Sequence, residues 1–158
     1  MARVVVVPSA KEMPNIVSPI KCNVAQASPC DIWYLDSGCS NHMTRNIEFF
    51  SSLDELVQTK VTLGTDIQVT ILGKGSINIL TKEGEKNVMY DVYYVSGLKH
   101  NLMSTIKLLQ KGYLIYMEYN HCVIMEKYPS NQLIARIQIT RNKMFPLTLN
   151  LTMKKIQC

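Results

Sequence analysis

At 158 residues, with 47% apolar and 18% charged side chains, the chain has the composition of one globular domain with loose ends. Its net charge of +5 comes from scattered lysines and arginines, which describes a solvated surface better than the clustered basic and aromatic face of a nucleic-acid-binding module. No apolar run approaches the ~20 residues of a membrane span, and Val4-Val5-Val6-Val7 is too short for the apolar region of a secretory signal.

Residues 1–30 carry Pro8, Pro14, Pro19 and Pro29 among small polar residues and have no sustained period, which predicts a flexible leader. The cysteines, Cys22, Cys30, Cys39, Cys122 and Cys158, are odd in number and irregularly spaced. Free thiols in a reducing, intracellular compartment follow, and Cys22 and Cys30 lack the partners a zinc knuckle needs.

The next stretch, Trp33-Tyr34-Leu35-Asp36-Ser37-Gly38-Cys39-Ser40, runs three apolar residues into Asp-Ser-Gly. An acid at the end of a buried strand, a hydroxyl to bond it and a glycine that admits a second backbone are the parts aspartic-protease chemistry uses. The bare tripeptide also occurs in ordinary turns. Cys39 and His42 stand three apart, a spacing open to metal ligation or to a thiol nucleophile, but no second pair and no orienting third group accompanies them. A local role, a His42 ring nitrogen bonding a loop carbonyl, is the simpler one.

Ser52-Leu53-Asp54-Glu55 resembles a capping box and predicts a short helical turn. From Val61 the period becomes two: Ile67, Val69 and Ile71, then Ile77 and Ile79, alternate with polar residues. Gly73-Lys74-Gly75 between the two runs predicts the tip of a hairpin, either an ordinary one or a mobile flap over a substrate cleft. Residues 88–95 should be a long strand, ended by Gly97. Leu102, Ile106 and Leu109 predict a helix over 101–110, with Gly112 as its cap. Strands are expected near 113–119 and 122–127, joined by Asn120-His121, and again over 133–140. The basic end from Leu149 to Cys158 is expected to fray.

Read as a set, the segment from Trp33 to Thr44 (Trp-Tyr-Leu-Asp-Ser-Gly-Cys-Ser-Asn-His-Met-Thr), Gly73-Lys74-Gly75, the segment Gly97-Leu98-Lys99-His100-Asn101-Leu102-Met103-Ser104 and the segment from Leu108 to Gly112 resemble the protease region of copia-type LTR retrotransposon Pol polyproteins. The segment from Asn142 to Leu147 resembles the start of the stretch joining protease to integrase in such polyproteins. The resemblance implies a mostly β, retropepsin-like closed β-barrel over residues 31–141, with a flap hairpin and one short helix, followed by that joining segment over 142–158. It implies catalysis by Asp36, with Ser37 and Gly38 completing the triplet, and substrate binding by a flap at Gly73, Lys74 and Gly75. It further implies a homodimer that cleaves its own polyprotein without metal or cofactor. The setting expected from the resemblance is cytoplasmic, with virus-like particles as one such place, with no membrane and with nucleic acid only indirectly through the parent polyprotein. Arg45, where relatives usually have glycine, and Thr65-Asp66, in place of a more glycine- or asparagine-like turn, depart from the pattern. A second reading therefore stays open, a β-barrel remnant with no turnover.

One acid per chain has a consequence. Peptide hydrolysis by this route needs two carboxyls about 3 Å apart that share one proton, one activating water and the other polarising the scissile carbonyl. Asp31, Asp54, Asp66 and Asp91 lack a following Ser-Gly or Thr-Gly. A second Asp36 would have to come from a second chain across a two-fold axis.

Overall fold

The computed structural model describes residues 30–63, 66–80 and 84–151. The predicted leader, apart from Cys30, lies outside them, as do Thr65 and the last seven residues. The described residues form twelve strands, one 3-10 turn and one α-helix. In chain order the strands are β1 (Cys30–Asp36), β2 (His42–Thr44), β3 (Phe50–Asp54), β4 (Thr59–Leu63), β5 (Ile67–Ile71), β6 (Gly73–Leu80), β7 (Lys86–Tyr94) and β8 (Asn101–Ser104). Helix α1 (Thr105–Gln110) follows, then β9 (Tyr113–Glu118), β10 (His121–Glu126), β11 (Leu133–Gln138) and β12 (Pro146–Asn150). The mostly β expectation, with one short helix, holds.

Seven strands make the main sheet, in the order β12-β1-β8-β2-β7-β6-β3. Strand β8 enters between β1 and β2, parallel to the first and antiparallel to the second. The chain that leaves β1 at Asp36 therefore turns back through 37–41 into β2, and a strand made some 60 residues later fills the gap. Strands β9, β10 and β11 form an antiparallel meander, and β4 pairs only with β5 as a separate hairpin.

The larger core lies between the main sheet and the meander. Trp33, Ile77, Ile79, Met89, Met103 and Leu108 from the sheet and helix share it with Ile115, Ile124 and Ile137 from the meander. Burial of such side chains contributes about 1.5–3 kcal/mol each. Trp33 is fully buried and its Nε1 has no hydrogen-bond partner, which costs about 1–3 kcal/mol.

Several expectations are corrected. The closed barrel is not found among the described residues: β12 and β3 remain the two ends of an open sheet. The reason is that β6 is paired on both sides, by β7 and, over Lys74–Ile77, by β3. Residues 78–80 of β6 lie beyond the reach of β3, and of these Ile79 forms a single bridge with Leu151. Gly73, Lys74 and Gly75 are not a hairpin tip; they lie inside β6. The runs 67–71 and 73–80 do not pair with each other, because β5 takes β4 and β6 takes β3 and β7.

The glycine at 75 answers to packing. A Cβ there would collide with the Ser52 carbonyl oxygen and stand 2.9 Å from the Leu53 Cα. Since a neighbouring backbone is the obstacle, Gly75→Ala should destabilise the domain by about 3 kcal/mol. Urea denaturation checks this, and an unchanged midpoint would mean that β3 yields freely.

Ser52-Leu53-Asp54-Glu55 caps no helix. Its first three residues belong to β3, and the Asp54 carboxylate accepts the Leu56 N–H at 3.0 Å in a local turn. The helical segment starts at Thr105 rather than 101, because 101–104 is consumed by pairing with β1. Lys111 closes it as C-cap, and Gly112 follows at φ +97°. The turn between β9 and β10 is Tyr119-Asn120, and β11 ends at Gln138. Leu149 does not fray. It is fully buried in β12, which runs antiparallel to β1. Part of the segment expected to follow the domain is thus built into its main sheet.

Candidate functional site around Asp36

Asp36 is the last residue of β1 and is half-buried, while Ser37 and Gly38 are exposed. The acid is therefore at the rim of the sheet, with the turn beyond it facing outward. The Gly38 amide donates to Asp36 Oδ1 at 2.7 Å, so the carboxylate takes its bond from backbone and not from the Ser37 hydroxyl. A Cβ on Gly38 would stand 3.1 Å from that same oxygen, which leaves little room for a side chain where the turn closes on the acid. The Asp36 carbonyl accepts the Thr105 hydroxyl at 3.4 Å and the Cys39 thiol at 3.6 Å.

Beneath the turn lies a buried polar chain that sequence reasoning missed. Ser104 ends β8 and caps α1, accepting the Lys107 amide at 3.2 Å. Its hydroxyl donates to the Cys39 carbonyl at 2.7 Å, and its own amide donates to His42 Nδ1 at 3.0 Å. One layer further in, Thr44 Oγ1 donates to Asn101 Oδ1 at 2.6 Å, and Asn101 Nδ2 donates to the Ile32 carbonyl at 3.2 Å. Strands β1, β2 and β8 are thereby tied by side chains as well as by their ladders. The signal was present in the Asn-Leu-Met-Ser run of 101–104, where two polar residues flank two apolar ones; a helical reading hid it.

The structure brings Cys39 and His42 near the acid but equips neither for nucleophilic chemistry. Burial, with the Asp36 charge adding to it, pushes the Cys39 thiol up to about 12, so it stays protonated and unreactive. Burial first, and then Lys107 and Lys111, push His42 down to about 3. Among the described residues no group of three His, Cys, Asp or Glu side chains is placed to hold a metal ion.

The His42 shift has a signed consequence. The unfolded chain takes a proton on this residue near 6.5, whereas the folded protein refuses it until about 3. Between those values the unfolded state binds more protons, so stability falls as pH drops, by up to about 1.4 kcal/mol per unit. Melting temperature should decline from pH 6 to pH 4; a flat profile over that range would contradict a neutral, buried His42.

Gly73, Lys74 and Gly75, expected over the cleft, are 37 or more positions from Asp36 in sequence and belong to β6. There Lys74 pairs with Asp91 at 3.3 Å. What lies against the acid's own loop is the β4–β5 hairpin. Ile71, with the half-buried Val61, Leu63 and Val69, packs on Cys39, Met43, Val95 and Leu98 as a second apolar cluster. The turn of this hairpin includes Asp66 at φ +60°.

A family model described as the β-barrel domain of Pol polyproteins matches residues 33–113, just over half of the chain. The chain belongs to that family, and is a retrotransposon Pol polyprotein β-barrel domain. It is similar to the putative transposon Ty5-1 protein of Saccharomyces cerevisiae, with 33% identity over 72 residues, which cover 46% of each chain. The chain thus matches less than half the length of that relative. No solved structure matches.

Proposed function

We propose that this domain is one half of a dimeric, retropepsin-like aspartic endopeptidase that cleaves its own polyprotein. The observation that carries the reading is the position of Asp36. It ends a strand held on both sides, at the rim of the sheet, beside an exposed Ser37-Gly38 turn. A carboxyl so presented can meet its own copy across a two-fold axis. The two would share one proton, one carboxylate activating a water and the other carboxyl polarising the scissile carbonyl. Ser37 would bond the opposite loop. No metal or cofactor is needed in this scheme, and the reaction would take place inside the cell.

In this reading the flap is the β4–β5 hairpin, because its apolar side lies on Cys39 and Met43, next to the acid's loop. Substrate would lie extended beneath it, its main chain adding to strand edges and its apolar side chains taking the place of Val61, Leu63 and Val69. The hairpin must therefore lift before substrate enters.

The test is sedimentation of the purified chain with and without a transition-state-mimicking peptide inhibitor, paired with a peptide-cleavage assay. Inhibitor-stabilised dimers and cleavage with a bell-shaped pH profile on the acid side of neutrality are expected. A monomer that neither binds inhibitor nor cleaves would leave the domain as a mostly β part of the polyprotein without turnover.

A further inference from the structure

We propose that His42 is a positioning residue: its unprotonated Nδ1 holds the Ser104 amide, Ser104 holds the Cys39 carbonyl, and a proton on His42 releases the loop that carries Asp36. The direction of one hydrogen bond fixes the tautomer of His42. The Ser104 backbone N–H can only donate, so His42 Nδ1, 3.0 Å away, must accept. Neutral His42 then carries its proton on Nε2. An imidazolium has N–H on both nitrogens and cannot accept, so protonation would set two donors face to face. The contact is buried: His42 is 2% exposed and Ser104 0%, which shields both groups from bulk water.

The consequence reaches Asp36 because Ser104 is shared. Its amide goes to His42, its hydroxyl to the Cys39 carbonyl and its hydroxyl oxygen to the first turn of α1. The neighbouring Thr105 hydroxyl reaches the Asp36 carbonyl itself. Both ends of the turn 36–39 are thus fastened to the β8–α1 junction, and His42 is the titratable member of that fastening. The charged groups facing it reinforce the neutral form. Lys107 of α1 and Lys111, its C-cap, oppose a proton on it, while Asp91 of β7 favours one. Asp91 is itself paired with Lys74 of β6 at 3.3 Å and with Lys107 at 3.9 Å, and the Cys39 thiol on the loop stays uncharged.

Positioning of the loop stands on these contacts alone. Its bearing on cleavage rests on the proposed function: an aspartic dyad works best in mild acid, and His42 would set how far into acid the site survives.

The experiment is acid unfolding of the full chain followed by Trp33, the single tryptophan, which lies on β1 three residues before Asp36. His42→Asn keeps an acceptor oxygen near the Nδ1 position and cannot titrate. One proton difference changes the folding constant about tenfold per pH unit. Wild type should show this factor between pH 6 and 4 on top of the carboxylate contribution, and His42→Asn should lack it. An equal pH slope in both proteins overturns the proposal. Should the variant fail to fold, nitrogen NMR of the wild-type imidazole decides: an Nε2–H tautomer that does not titrate between pH 7 and 4 supports it, and an Nδ1–H tautomer or titration near 6.5 refutes it. Neither readout requires cleavage, so a chain without protease activity would not affect the outcome. In an active dimer, the acid limb of cleavage by His42→Asn should in addition extend to lower pH.

Discussion

Under the proposed dyad mechanism, Asp36→Asn should lower peptide cleavage by at least ~10³-fold, the scale on which an essential catalytic group is lost, with fold and association state unchanged. The substitution is nearly isosteric. An asparagine Oδ1 still accepts the Gly38 amide that Asp36 Oδ1 now holds at 2.7 Å, so the turn keeps its closing bond. What disappears is the proton chemistry, since an amide neither takes a proton from water nor shares one with a partner carboxyl. Parallel sedimentation and cleavage measurements on the two proteins check this. Equal cleavage by the variant would rule out the dyad mechanism and would move the search for the function away from residue 36.

Ending the chain after Arg141 should abolish cooperative unfolding of the domain, although the cut leaves every residue of the Asp36 block and of 97–112 in place. The piece removed contains β12. Leu147, Leu149 and Leu151 are 1%, 0% and 2% exposed, and burial of three such side chains contributes roughly 5–9 kcal/mol. That is comparable with the whole stability of a typical domain, about 5–15 kcal/mol. The cut would also strip β1 of its ladder over Cys30–Tyr34 and of the Leu35 amide bond to the Phe145 carbonyl at 3.1 Å. A chain ending after Leu151 should keep its transition. Thermal melts of the two truncations decide the matter, and an intact transition in the shorter one would mean that β12 is dispensable. For a polyprotein, the expected result places any self-release cut on this side beyond Leu151.

The local devices of the fold were legible. Alternation in 67–71 and the β-forming run of 88–95 became β5 and β7, because alternating side chains declare a strand with one buried face. The end of α1 was readable from Gly112, and the block around Asp36 from its own residues. Partners were not legible. The glycines of Gly73-Lys74-Gly75 look like a tip in sequence, and the same absence of side chains serves the close approach of β3 to β6. Likewise 101–104 reads as the first turn of a helix until β1 and β2 are present to claim it as a strand. The hairpin that lies on the acid's loop was half-read, since β5 was visible but its pairing with 59–63 was not.

By itself the amino-acid order determined a mostly β domain, a single Asp-Ser-Gly acid after an apolar strand, and kinship with retrotransposon polyproteins. Those properties live in short runs, where side-chain period and residue type act over a few positions. Tertiary structure alone decided that the sheet stays open, that residues 146–151 belong to it, and that His42 is locked to Ser104 across 62 positions of chain. Such choices depend on which strand edges remain unpaired once the others have met, and on which polar groups are buried together. Neither quantity exists until distant segments compete for the same neighbours.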